Sequence, residues 1–137
     1  MTLQEKTLFR GKRVIDGEWV TGNYVNCYRP GMNTVTGHFI VEYPGEYYDE
    51  IYTSTVGRYT GLKDKYGQRI FEGDIVDYNG TPHQVVFEDR FGCAYFGIRM
   101  SGIETWDFCP AVPSNLMRII GNIHDNPELM EVQNENG

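Results

Sequence analysis

The residues of this chain that could do chemistry are scattered carboxylates, three histidines, three cysteines, two basic stretches and one run of tyrosines among acids. Hard divalent cations take several carboxylate or carbonyl oxygens, and Glu42, Glu46, Asp49 and Glu50 gather four acids closely. Their spacing lacks the alternating oxygen donors around a central glycine that a calcium loop needs, so they read as a solvated acidic face. Glu72, Asp74 and Asp77 form a second set. Side chains alternate along a strand, which sends Asp74 and Asp77 to opposite faces. The Gly73-Asp74 step also suits an aspartate that binds backbone N–H groups in a turn. Neither set is assigned as a metal site.

His38, His83 and His124 lie far apart, none at ligand spacing from another. Pairing one of them with Cys93, Cys109 or Ser101 as a nucleophile would need tertiary contact. Cys27, Cys93 and Cys109 contain no C-x-x-C pair and leave an odd thiol, which argues against a disulfide framework and against structural zinc. Reduced cysteines are expected. G-x-S-x-G, the phosphate-cradling G-x-x-x-x-G-K-[ST] and the dinucleotide fingerprint are all absent, so no catalytic residue and no cofactor is assigned. A small metal-dependent enzyme is the weakest of three readings, because it needs a concave pocket where His38 or His83 meets carboxylates.

Binding chemistry is better represented. Tyr43, Tyr47, Tyr48 and Tyr52 punctuate an acidic segment, and tyrosine gives large contact area at low entropy cost. That segment is the leading candidate surface for a protein partner. Lys6, Arg10, Lys12 and Arg13 make the first strand basic, with Phe9, Trp19 and Tyr24 nearby, and Arg58, Lys63, Lys65 and Arg69 form a second basic stretch. Cations and aromatics on a β surface can stack and pair a nucleic-acid single strand, so a nucleic-acid-binding module using Arg10, Lys12, Arg13, Lys63, Lys65 and Arg69 is the alternative. Charged outer faces equally serve solubility and guard sheet edges. Twelve Lys and Arg against nineteen Asp and Glu leave a formal net charge of -7, which disfavours a general polyanion-binding surface.

The elements that must position these residues are short strands and tight turns. The chain has 137 residues, 40% hydrophobic and 23% charged, the mixture of a folded domain rather than a disordered or fibrous segment. Sixteen glycines punctuate ten Tyr, seven Phe and two Trp, and aromatics suit pleated surfaces while glycines serve turns and bulges. Asp16-Gly17 predicts a hairpin over Leu8 to Tyr28, with Gly22 as a bulge; His38 to Tyr43 reads as a strand and Glu46 to Thr55 stays open. Asn79-Gly80 between Ile75-Val76-Asp77-Tyr78 and His83 to Glu88 is the strongest hairpin signal in the chain, with Pro82 placed near a strand start. Glu88-Asp89-Arg90 predicts the next turn, Phe91 to Ile98 and Met117 to Ile123 further strands. Asn126 capping Pro127 and Glu128 predicts one short helix.

The expected fold is therefore all-β. Residues 54–132 should form a bent sheet or SH3-like barrel of about five short strands, residues 1–53 an N-terminal hairpin lobe, and residues 133–137 a frayed tail. A leftover edge strand would invite homo-oligomerisation. No apolar run approaches bilayer length and Met1 to Arg10 lacks the apolar core of a signal peptide, so a cytoplasmic protein without membrane partners is expected.

Two blocks are long enough to name. They are Tyr59-Thr60-Gly61-Leu62-Lys63-Asp64-Lys65-Tyr66-Gly67-Gln68-Arg69-Ile70-Phe71-Glu72-Gly73-Asp74-Ile75-Val76 and Ile119-Ile120-Gly121-Asn122-Ile123-His124-Asp125-Asn126-Pro127-Glu128-Leu129. With Phe9-Arg10-Gly11-Lys12 and Gly17-Glu18-Trp19-Val20, they closely resemble the YopX family of phage and prophage proteins, from about Leu8 to Val132. The resemblance implies a phage-encoded, mostly β protein acting in a bacterial host, and it brings no activity, cofactor or catalytic residue. The blocks themselves can be explained by folding, with Gly61, Gly67 and Gly73 at turns that need positive φ and Ile75-Val76 entering the core.

Overall fold

In the computed structural model the described residues are 2–28, 35–42, 47–90, 93–100, 106–107 and 113–131. The chain divides into two compact units, Met1–Tyr59 and Thr60–Gly137. Both are built from antiparallel strands, and regular helix among the described residues is confined to one turn, Leu3–Lys6, and short 3-10 turns.

The first unit contains β1 (Leu8–Lys12), β2 (Trp19–Tyr28), β3 (Val35–Glu42) and β4 (Tyr47–Glu50), in the spatial order β4-β3-β2-β1. The predicted first hairpin is present, with Lys12 opposite Trp19 and Leu8 opposite Asn23. Its turn is wider than the dipeptide, since Val14 and Ile15 lie in it and are exposed. Gly22 is not a bulge: it pairs in unbroken register with Phe9. It is glycine because the carbonyl of Val41 and the side chain of Ile40 stand where a Cβ would project. Alternation sends Val20, Tyr24 and Phe9 to one face, where Val20, Ile40 and Ile51 form the core. The segment that the sequence leaves open resolves into β4 and a 3-10 turn at Thr53–Thr55.

β5 (Gly57–Lys63) carries the chain from one unit into the other. In the second unit β6 (Arg69–Phe71) folds back on β5. β7 (Asp74–Tyr78), β8 (Thr81–Arg90), β9 (Cys93–Arg99), β10 (Trp106–Asp107) and β11 (Arg118–Asn122) make a five-stranded sheet in the order β10-β9-β8-β7-β11. The Asn79-Gly80 hairpin forms as predicted, Asn79 at φ 54° and Gly80 at φ 80°, the pair of positive φ values that a two-residue turn needs to match strand twist. Pro82 sits opposite Asp77, two residues before the ladder with β9 begins at Gln84, so its missing N–H costs no sheet bond. The expected turn at Glu88-Asp89-Arg90 is instead strand, β8 continuing until Arg90 faces Cys93. Ile70, Val76, Val85, Ile98 and Met117 form the core, and Ile75 is fully buried on the opposite face of β7.

The sheet is not a closed barrel. β10 and β11 occupy its two edges, and closure requires a hydrogen-bonded ladder between first and last strands. The predicted C-terminal helix is only a 3-10 turn, Pro127–Met130, and Asn126 does not cap it by its side chain. The Asn126 Oδ1 instead accepts from the Asn122 N–H at 3.3 Å, tying the turn back to β11. The positive φ values expected at Gly61, Gly67 and Gly73 are all present. Among the described residues no helix is long and apolar enough to cross a membrane. The expected tail at 133–137, residues 101–105 and Cys109 lie outside the described residues.

Candidate functional site

The tyrosine segment is held by its neighbours rather than by the tyrosines. β4 exists because it pairs with β3, Tyr47 opposite Glu42 and Tyr48 opposite Val41. Ile51, the residue after it, is buried in the first core and its N–H donates to the His38 carbonyl at 3.0 Å. The Tyr52 N–H then donates to Lys12 O at 2.9 Å. Buried Thr55 completes the anchor: its hydroxyl donates to Tyr52 O at 2.6 Å and accepts from the Lys12 N–H at 2.8 Å. With the backbone fixed this way, Tyr47, Tyr48 and Tyr52 remain 66%, 67% and 49% exposed. Rings held on an ordered backbone lose little further entropy on binding.

Successive residues face opposite ways, so Tyr47 and Tyr48 lie on opposite sides of β4. The strand is the edge of its sheet, but the edge is short, because the Val14 N–H takes the Glu50 carbonyl at 2.8 Å. A partner meeting this four-residue edge therefore meets tyrosine side chains and a few backbone groups, not a long ladder. Of the four acids read as a face, Asp49 turns toward Arg13, 3.5 Å away, while Glu50 is exposed. Tyr43 and Glu46 lie outside the described residues. Ile51 and Thr55, the anchors, escape sequence reasoning because each is a single buried residue in a polar run with no period.

The basic first strand is split by alternation. Arg10 and Lys12 share a face, and both converge on Trp19, the guanidinium carbon 4.8 Å and the ammonium 5.4 Å from its ring centre. Arg13 faces the other way and binds Asp16. That hydrogen bond raises the Arg13 guanidinium above its ordinary value and lowers the Asp16 carboxyl below its own. Phe9 and Tyr24 turn inward onto the core, their rings 5.8 Å apart, and the Tyr24 hydroxyl bonds His38 Nδ1. Of the aromatics expected beside the cations, Trp19 alone joins them.

In the second unit Lys63, Lys65 and Arg69 are exposed around the β5–β6 turn, with the Lys65 ammonium 5.3 Å from the Tyr66 ring centre. The turn itself is organised by buried Asp64, which accepts from the N–H groups of Tyr66 and Gln68, each at 2.9 Å, and of Ile119 at 3.1 Å. Asp74 is buried and accepts from the Phe71 N–H at 2.8 Å, the turn role the Gly73-Asp74 step predicts. His83 is buried, its Nδ1 2.9 Å from Thr81 O, and its ring meets Tyr78 edge to face. Among the described residues no group of three or more His, Cys, Asp or Glu is placed to hold a metal ion.

Compared with known proteins, the chain matches the family model described as YopX protein over residues 8–131. No curated protein matches it.

Proposed function

Because the chain belongs to the YopX family, we propose that it is a phage- or prophage-encoded accessory protein that acts in the bacterial cytoplasm by binding a protein, without catalysis, through Tyr47, Tyr48 and Tyr52. The observation that carries this reading is the exposure of three tyrosines on a backbone anchored by Ile51 and Thr55. Large aromatic side chains, tyrosine among them, are enriched at contact hot spots.

The test is a pull-down with the tagged full chain from bacterial lysate, with and without nuclease, against Tyr47→Ala/Tyr48→Ala/Tyr52→Ala. The expected result is a protein retained by the parent chain under both conditions and lost by the triple variant, with melting temperature nearly unchanged. Retention by the variant would overturn the reading, and a large fall in melting temperature would show that the tyrosines serve the core.

A second reading has its own observation. Arg10 and Lys12 stand over Trp19 on one sheet face, a cation and aromatic pairing that suits a single strand of nucleic acid. It predicts oligonucleotide affinity that falls steeply with salt and partners that disappear on nuclease treatment.

A further inference from the structure

The Asn79-Gly80 turn that closes the β7–β8 hairpin sets two reactive groups one peptide bond apart: the side-chain amide carbon of Asn79 and the backbone nitrogen of Gly80. Both residues are exposed. The β7–β8 ladder ends at Tyr78 opposite Thr81, so the amide between Asn79 and Gly80 stands outside the sheet. A Cβ on Gly80 would meet nothing within 4 Å, and with none there the nitrogen has no side chain of its own residue to shield it. The sequence holds one other asparagine followed by glycine, Asn136-Gly137, outside the described residues.

The turn sets the pace of any reaction between the two groups. Attack of the nitrogen on the amide carbon closes a five-membered imide, in which the Gly80 nitrogen eclipses Asn79 Cβ about the Cα–C bond. Asn79 at φ 54° and Gly80 at φ 80° are the left-handed pair of a type I′ turn, which points that nitrogen away from Cβ. Ring closure therefore waits for the turn to open, and an exposed hairpin turn opens at less cost than the whole fold.

We propose that Asn79 is a self-modification site, at which the chain converts its own asparagine into aspartate and isoaspartate with water as co-reactant. The Gly80 N–H gives its proton to solvent base and the nitrogen attacks Asn79 Cγ; the Cγ–Nδ2 bond breaks and ammonia leaves, taking a proton from solvent. Water then opens the imide. Cleavage between the Gly80 nitrogen and Cγ gives aspartate, whereas cleavage between that nitrogen and the main-chain carbonyl carbon gives isoaspartate, with the chain running on through Cγ. One water is consumed, one ammonia is released and nothing is oxidised or reduced. The two products part in their effect on the fold. An Asp-Gly pair suits the same turn, but isoaspartate inserts an extra carbon into a two-residue connection whose length and type fix the strand register. β7 and β8 bring Val76 and Val85 to the second core, so isoaspartate at this position loosens the second unit as the protein ages. The site does not depend on the tyrosine reading.

The test incubates the full chain and a blocked peptide of residues 76–83 at neutral and at mildly alkaline pH. Aspartate and isoaspartate at residue 79 are mapped over time by proteolysis and electron-transfer fragmentation in the mass spectrometer, with Asn136 read separately from its own fragment. Asn79 should convert in the folded chain several-fold more slowly than in the peptide, faster as pH rises because the attacking nitrogen must lose its proton, and with isoaspartate among the products. The urea midpoint of the second unit, followed through the Val76 and Val85 methyl signals, should fall in step with the isoaspartate content. Asn79→Gly leaves a Gly-Gly pair that forms the same turn without a side-chain amide, so its midpoint should hold through the same incubation, and Asn79→Asp should start close to the parent midpoint. Intact Asn79 in the folded chain after the peptide has fully converted would overturn the proposal. An equal loss of midpoint in aged Asn79→Gly, or isoaspartate accumulating at residue 79 with the midpoint unchanged, would overturn it as well.

Discussion

Asp64 and Gly22 each have a measurable consequence that follows from a single side chain. Burial pushes the Asp64 carboxyl up, but the N–H groups of Gln68, Ile119 and Tyr66 outweigh it, helped by Lys65, and hold it below the ordinary carboxylate value. A group whose folded pKa is lowered stabilises the fold above its unfolded value, about 3.9 for aspartate, and loses that contribution as pH falls through the folded one. Urea midpoints of the parent chain should therefore decline below about pH 4 more steeply than those of Asp64→Asn. Asp64→Ala should cost about 2–3 kcal/mol, since it strands three backbone donors. Gly22→Ala should cost about 2 kcal/mol or more by overpacking, because the Val41 carbonyl is backbone and cannot swing away. Urea denaturation checks both. The turn role of Asp64 with Tyr66 and Gln68 is a local pattern, but its bond to Ile119 spans 55 residues and only the fold brings it about. Gly22 misleads a local reading for the same reason: its requirement comes from a neighbouring strand, not from its own turn.

At the scale of elements, hairpins whose turns carry their own chemistry were legible. Asn79-Gly80 predicts β7 and β8 because both turn residues must reach positive φ, and Gly80→Ala should cost about 1–2 kcal/mol for forcing a Cβ into that region, read from the denaturation midpoint. Elements that depend on a partner strand were not legible. β4 has only four residues and two of them are acidic, so it is strand because β3 offers it a ladder. The extension of β8 through Glu88-Asp89-Arg90 has the same cause, since β9 pairs with each of those residues. The loss of the expected helix beyond Asn126 follows from a competing bond, the Asn126 side chain being committed to Asn122.

For the whole molecule, the two units have separate apolar clusters, Val20, Ile40 and Ile51 in one and Ile70, Val76, Val85, Ile98 and Met117 in the other. Ile40 and Ile98 are fully buried, and Ile40→Ala or Ile98→Ala should each cost about 2–4 kcal/mol, measured by denaturant unfolding. The net charge of -7 acts at longer range. It favours a cationic partner, so association of the protein partner proposed for the tyrosine surface should slow as salt rises while dissociation changes little, which stopped-flow mixing at several ionic strengths resolves.

Local sequence alone sets the β character, the Asn79-Gly80 turn, the positive-φ glycines at 61, 67 and 73 and the family, because turn geometry and strand preference act over a few neighbouring residues and the motif blocks are contiguous. Only the tertiary structure decided which side chains of those strands meet. It separated Arg13 from Arg10 and Lys12, drew Phe9 and Tyr24 into the core, left Tyr47, Tyr48 and Tyr52 outside and kept the sheet open. The physical reason is that a strand offers two faces of equal local merit, and the choice between them is made by the register and cover that distant segments supply.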